Sequence, residues 1–131
     1  MKRLSICWII GCLLGLVACR PEVPAQAEQG ETDVFPDYRE VTVPVNIAPP
    51  NFKLVDQQLQ GITRLKTMNR ELIIAADQGV FNLPETDWKV LSQDAQGKQI
   101  DVTVYFREPQ SNWKQMSFPI YVSRDSVDAY L

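Results

Sequence analysis

The run Leu16-Val17-Ala18-Cys19 is the part of the sequence whose residue types and spacing prescribe a reaction. Small residues lead into a cysteine at the end of an apolar stretch, the form of a bacterial lipobox. A thiol at that place can accept a diacylglyceryl group. A peptidase then cuts before the cysteine, and its new amino terminus can be acylated as well. Two or more acyl chains hold a protein on a membrane durably, where one chain binds only marginally. The upstream residues fit this chemistry. Met1-Lys2-Arg3 is a short basic start, and Leu4 to Val17 is apolar apart from Ser5. The run is shorter than the roughly 20 residues a spanning helix needs. Residues 1–18 therefore read as a lipoprotein signal peptide, with Cys19 as the lipidation site.

Little other chemistry is on offer. Cys7 and Cys12 lie in the removable segment, so the mature chain would keep only Cys19, its sulfur blocked, and would have no disulfide. The chain has no histidine, which excludes serine–histidine triads, histidine metal ligands and histidine bases. Carboxylates are plentiful, among them Asp33, Asp37, Glu40, Asp56, Asp77, Asp87, Asp94 and Asp101, but solvated surface is their ordinary place. Asp94-Ala95-Gln96-Gly97 lacks the alternating oxygen ligands of a calcium loop, and no glycine-rich phosphate loop occurs. No enzyme activity, metal or cofactor is expected. Loss of Lys2 and Arg3 with the signal moves the formal charge from −3 to −5. With no strong basic cluster (Arg64, Lys66 and Arg70 come nearest), nucleic acid is not an expected partner.

Arg20 to Asp33 holds prolines, Glu, Gln and Ala, with Val23 as its only large apolar residue. Such a segment reads as a flexible tether over residues 19–33. A strand is expected where Val41, Val43, Val45 and Ile47 alternate with polar residues, with Pro44 marking an edge. Phe52 to Val55, Ile62 to Met68, Glu71 to Ala76 and Val80 to Leu83 follow as short extended segments, and Gly79 supplies a turn. Pro84-Glu85-Thr86-Asp87 opens a helix of about three turns that carries Trp88, Leu91 and Ala95 inward and stops near Gly97. Ile100–Arg107 and Met116–Ser123 then alternate and pair as a hairpin. Matching apolar faces sets Phe106 opposite Met116, Val104 opposite Phe118, Val102 opposite Ile120 and Ile100 opposite Val122.

About seven short strands and one inserted helix, around residues 84–96, define an all-β fold, an immunoglobulin-like β-sandwich, with a small open barrel as the alternative. The organisation is a signal peptide (1–18), a tether (19–33), the sandwich domain (34–123) and a C-terminal linker or truncated continuation (124–131). Trp113, beside the hairpin loop, and Tyr105, on the outward side of its strand, are the candidate partner-contact residues.

Phe35-Pro36-Asp37-Tyr38, then Val41-Thr42-Val43-Pro44-Val45-Asn46-Ile47-Ala48-Pro49 and Asn51-Phe52, resembles the N-terminal module of Bacteroidota envelope lipoproteins that carry TolB-like (WD40-like) β-propeller repeats. Leu83-Pro84 with Trp88 and Leu91, and Asp128-Ala129-Tyr130-Leu131, look like the same module. The lipobox implies a lipid-anchored place in the bacterial cell envelope, the outer membrane, with the membrane as partner through the lipid on Cys19, and the resemblance adds an envelope protein or propeller domain as partner. It also implies that this chain corresponds to the N-terminal part of a propeller-containing lipoprotein. Some of those proteins attach haem, but Cys-x-x-Cys-His is absent here and that function does not carry over. The expected function is a non-enzymatic interaction module, with a carbohydrate-binding module as the alternative. Asp125-Ser126-Val127 resembles the three-residue O-glycosylation signal of Bacteroidota, with Ser126 as acceptor. Protein isolated from a native-like host should carry a glycan mass on Ser126; an unmodified intact mass rules the site out.

Overall fold

The computed structural model describes residues 21–125. Cys19 and Ser126 lie outside the described residues. Within them the chain forms β1 (Glu28–Gln29), β2 (Val34–Phe35), β3 (Thr42–Val43), β4 (Phe52–Leu54), β5 (Gln60–Lys66), β6 (Glu71–Ala75), β7 (Val80–Phe81), α1 (Glu85–Asp94), β8 (Gln99–Arg107) and β9 (Lys114–Val122). The larger sheet has the order β1-β9-β8-β5-β6, and β3 also pairs with β9; the smaller sheet is β2-β4-β7. The protein is an all-β sandwich with one short helix.

The central strands obey their period of two. Ile100, Val102, Val104 and Phe106 of β8 and Met116, Phe118, Ile120 and Val122 of β9 are all buried on one face. Burying each such side chain is worth roughly 1.5–3 kcal/mol. The register is shifted two residues from the one that apolar matching selects. Ile100 faces Ile120, Val102 faces Phe118, Val104 faces Met116, and Phe106 faces Lys114. A two-residue slip keeps every side chain on its face, so burial does not discriminate between the two registers. The backbone and the loop decide. The observed pairing shortens the loop to residues 108–113, which lowers its closure cost. It also extends the ladder past β8, since Val122 donates to the Lys98 carbonyl at 2.9 Å and Gly97 donates to Val122 at 2.8 Å. Lys114 is tolerated opposite Phe106 because its methylene stem can cover apolar surface while the ammonium stays wet.

Helix α1 begins just after Pro84, its N-cap, and has Glu85 and Asp87 in its first turn, where acids suit the helix dipole. It ends before Gly97, where φ is +72°. Trp88, Leu91 and Ala95 are buried as expected. The segment before it differs from expectation. Of the strand expected across Val41 to Ile47, only Thr42–Val43 pairs, in parallel with β9. Beyond Pro44, which has no N–H to give a ladder, the chain turns, with Ile47 N–H on the Pro44 carbonyl at 3.4 Å. The helix then takes the carbonyls a strand would have used. Trp88 Nε1 donates to Ile47 at 3.0 Å, and the Ser92 hydroxyl donates to Val45 at 3.1 Å.

The tether expected over residues 19–33 is shorter than its composition implies. Glu28 and Gln29 pair in parallel with Lys114 and Gln115, and Gly30 N–H donates to the Gln115 carbonyl at 3.0 Å. Pro21, at the other end of the segment, lies in a cleft with Glu71, Leu72, Ile73 and Asp87. The chain between these anchor points runs from the β6 edge to the β9 edge. Core side chains fill the inner face, so the segment crosses the outer one. Backbone hydrogen bonds hold its far end at the β9 edge, and a composition argument based on side chains does not register them.

The two sheets come into close contact at Gly61 on β5. A Cβ placed there would stand 2.8 Å from Leu54 Cδ1 and 2.9 Å from Phe81 Cζ. Leu54 and Phe81 are fully buried, and Phe52 stacks tilted on Phe81 with ring centroids 4.8 Å apart. Gly61→Ala should therefore overpack the interface and cost about 1–3 kcal/mol, read as a lowered urea midpoint with an unchanged slope.

Candidate partner-contact surface

Trp113 ends the β8–β9 loop and is half-buried. Three features hold it. Its carbonyl accepts from Glu28 N–H at 3.0 Å, Lys114 beside it begins β9, and the Arg107 guanidinium lies 4.3 Å from its ring centroid. A cation at that distance over an indole is attracted by the ring's quadrupole. Arg107 is itself oriented by Gln60, whose Oε1 accepts from its Nε at 2.8 Å. The shifted hairpin register creates this pair by bringing the two ends of the loop together. Gln26, Ala27, Glu28, Ser111 and Asn112 complete a cleft of about 300 Å³ beside Arg107 and Trp113. Its lining offers amide, hydroxyl and guanidinium groups next to an aromatic edge, a surface suited to peptide or polar ligand contact.

Tyr105 does not belong to this surface. Its side of the sheet is the outer one, as alternation requires, yet it is only 7% exposed. It stands between Ile62 and Gln115 in the ladders. The N-terminal segment crosses that face, and the Gln115 side-chain amide reaches the Ala27 carbonyl at 3.5 Å. The expectation of a contact role for Tyr105 is corrected by that burial: beside it, Gln115 already holds the Ala27 end of the N-terminal segment. Sequence reasoning found Trp113 but not Arg107. The available signal was its place at the foot of the hairpin loop, on the same side of the strand as Tyr105.

Several carboxylates have structural tasks. Asp37 forms a two-pronged pair with Arg39, with Nη2 at 2.8 Å and Nε at 2.9 Å. Hydrogen bonds from the Arg39 side chain and then its backbone N–H lower the Asp37 pKa to about 2. Asp56 accepts the Gln58 N–H, and Asp101 accepts the Gln99 amide. Asp94, in the last turn of α1, clasps the β5–β6 turn by accepting from the Thr67 hydroxyl, from Asn69 Nδ2 at 3.1 Å and from Asn69 N–H at 3.3 Å. Among the described residues no group of three or more acidic or cysteine side chains is placed to hold a metal ion. None of their helices is long and apolar enough to cross a membrane.

No protein-family model, curated protein or solved structure matches the chain.

The Asp94 clasp makes a pH prediction. Hydrogen bonds, first from Thr67 and then from the Asn69 side chain, lower the Asp94 pKa below its ordinary 3.8 in the folded state. A lowered folded pKa contributes stability above the ordinary value, and that contribution is lost as pH falls through the folded one. Asp94→Asn should lower the melting temperature at neutral pH. The gap to the parent protein should narrow below about pH 4, as followed by circular dichroism melts across the acid range.

Proposed function

We propose that the protein is a lipid-anchored component of a bacterial cell envelope, of the outer membrane, whose β-sandwich mediates protein contacts and performs no catalysis. The observation that carries this reading is the Leu16-Val17-Ala18-Cys19 run behind its basic, apolar leader. The sandwich supports it by offering a rigid scaffold with an arginine-backed tryptophan at the tip of its longest hairpin. The likeness of Phe35–Phe52 to envelope lipoproteins that bear propeller repeats points to a propeller domain as partner. Cys19→Ser should release the protein from membranes or block its processing, and the parent's N-terminal peptide should carry acyl mass on Cys19. An unmodified Cys19 in membrane-derived protein overturns the anchor.

The carbohydrate-binding reading is supported by the polar cleft beside Trp113. Tyr105 is buried and adds no exposed ring to that cleft, and Arg107 occupies one face of the indole. Trp113→Ala distinguishes the two readings. Loss of a crosslinked envelope protein favours the interaction module. Loss of glycan-array binding with crosslinking unchanged favours the carbohydrate module.

A further inference from the structure

The lipid-anchored reading puts a bilayer at Cys19, and the fold brings that bilayer close. An extended chain advances at most about 3.3–3.6 Å per residue, so the two-residue step from Pro21 to Cys19 has a reach of roughly 7 Å at most. Pro21 sits beside Glu71, Leu72 and Ile73, in the first half of β6. The β5–β6 turn immediately precedes Glu71, so Pro21, the described residue nearest the anchor, lies toward the end of the sheet where that turn lies.

The surface at this end has its own character. Met68, in the turn, is 80% exposed, and Tyr121, near the end of β9, is 40% exposed. Lys98 Nζ lies 3.6 Å from Met68 Sδ. Lys66, Met68, Lys98 and Gln99 border one shallow depression together with Asp94 and Asp101, and Lys98, Gln99, Tyr121 and Arg124 border the next. The two share Lys98 and Gln99 and so form one strip. Exposed Arg70 adds a further cation in the turn. Asp94 accepts from Thr67 and Asn69 and Asp101 accepts from Gln99, neutral donors that leave both carboxylates charged, while Glu71 pairs with Arg64. In a chain of net charge −3, this end thus presents apolar side chains beside four cations, Lys66, Arg70, Lys98 and Arg124, interleaved with the Asp94 and Asp101 carboxylates. Tyrosine and methionine bodies among lysine and arginine heads suit the boundary between acyl chains and headgroups, and basic side chains near an anionic surface each add attraction.

We infer that this end of the sandwich, through Met68 and Tyr121 flanked by Lys66 and Lys98, rests on the bilayer as a second, non-covalent membrane contact beside the lipid on Cys19. The inference depends on the lipid-anchored reading. The strip would bind weakly alone, but attachment a few residues away holds it at high effective concentration at the surface. Strands β5, β8 and β9 then rise from the membrane. Nine residues of β8, at about 3.3 Å each, lift the Arg107–Trp113 tip on the order of 30 Å clear of it. The contact surface therefore faces away from the lipid.

The test uses the full chain, processed and acylated in a host with lipoprotein enzymes, with acyl mass verified on each preparation. With the Cys19 sulfur blocked, Met68→Cys and, separately, Ser111→Cys each supply one reactive thiol for an environment-sensitive fluorophore. Both positions are exposed, so the substitutions leave the core untouched. In vesicles of phosphatidylethanolamine and phosphatidylglycerol, the label at 68 should shift to the blue and be quenched by lipid-borne nitroxide. The label at 111 should do neither. Lys66→Glu with Lys98→Glu should abolish the shift at 68 while the protein still sediments with the vesicles. Acylated, vesicle-bound protein with both labels in water overturns the inference and leaves the anchor standing. A shift at 68 that follows protein concentration and not lipid assigns the strip to a second copy of the chain and also overturns it. Absence of acyl mass on Cys19 removes the anchor, and the inference falls with it.

Discussion

The smaller sheet can lie on the larger one because position 61 has no side chain. Leu54 and Phe81 occupy the space a Cβ would claim, and this contact draws β4 and β7 down onto β5. Dense interiors tolerate neither an added methyl group nor a void. The position of the small sheet therefore sets where Val34 and Phe52 can be buried. The same close approach leaves the opposite flank of the larger sheet to α1, whose Trp88 and Leu91 complete the core.

The larger sheet in turn depends on β9. Three strands pair with it: β8 along its length on one side, with β1 at its start and β3 at its end on the other. These two short parallel strands cover an edge that would otherwise present unpaired N–H and carbonyl groups. They bring the N-terminal segment and the proline-rich segment to opposite ends of one strand. That division separates the Trp113 tip from the Met68 end.

The alternation of Ile100–Phe106 and Met116–Val122, and the spacing of Trp88, Leu91 and Ala95, made the central hairpin and the helix legible in the sequence, because burial imposes those periods directly. The register was not legible. A slip of two residues leaves every face unchanged, and loop closure and backbone pairing choose between the alternatives. The strand expected through Ile47 failed for a related reason: the carbonyls of Val45 and Ile47 bond to Ser92 and Trp88, partners more than 40 positions away. Trp113 could be picked out as a large aromatic beside a loop, whereas its arginine partner emerged only with the register. Tyr105 was misplaced because alternation shows which side of a sheet a residue takes, and gives no account of what later crosses that side.

The parallel pairing of β1 with β9 also has a temporal side. Ala27 and Gln115, which meet beside this ladder, are 88 positions apart in the chain. Contacts of such separation form late, since the intervening chain must be ordered before their closure is rewarded. As the polypeptide emerges amino end first, Glu28 and Gln29 have no strand to join until the last hairpin has been made. The first strand of the domain thus cannot be seated before its last one exists, and the sheet edge it covers closes no earlier than that.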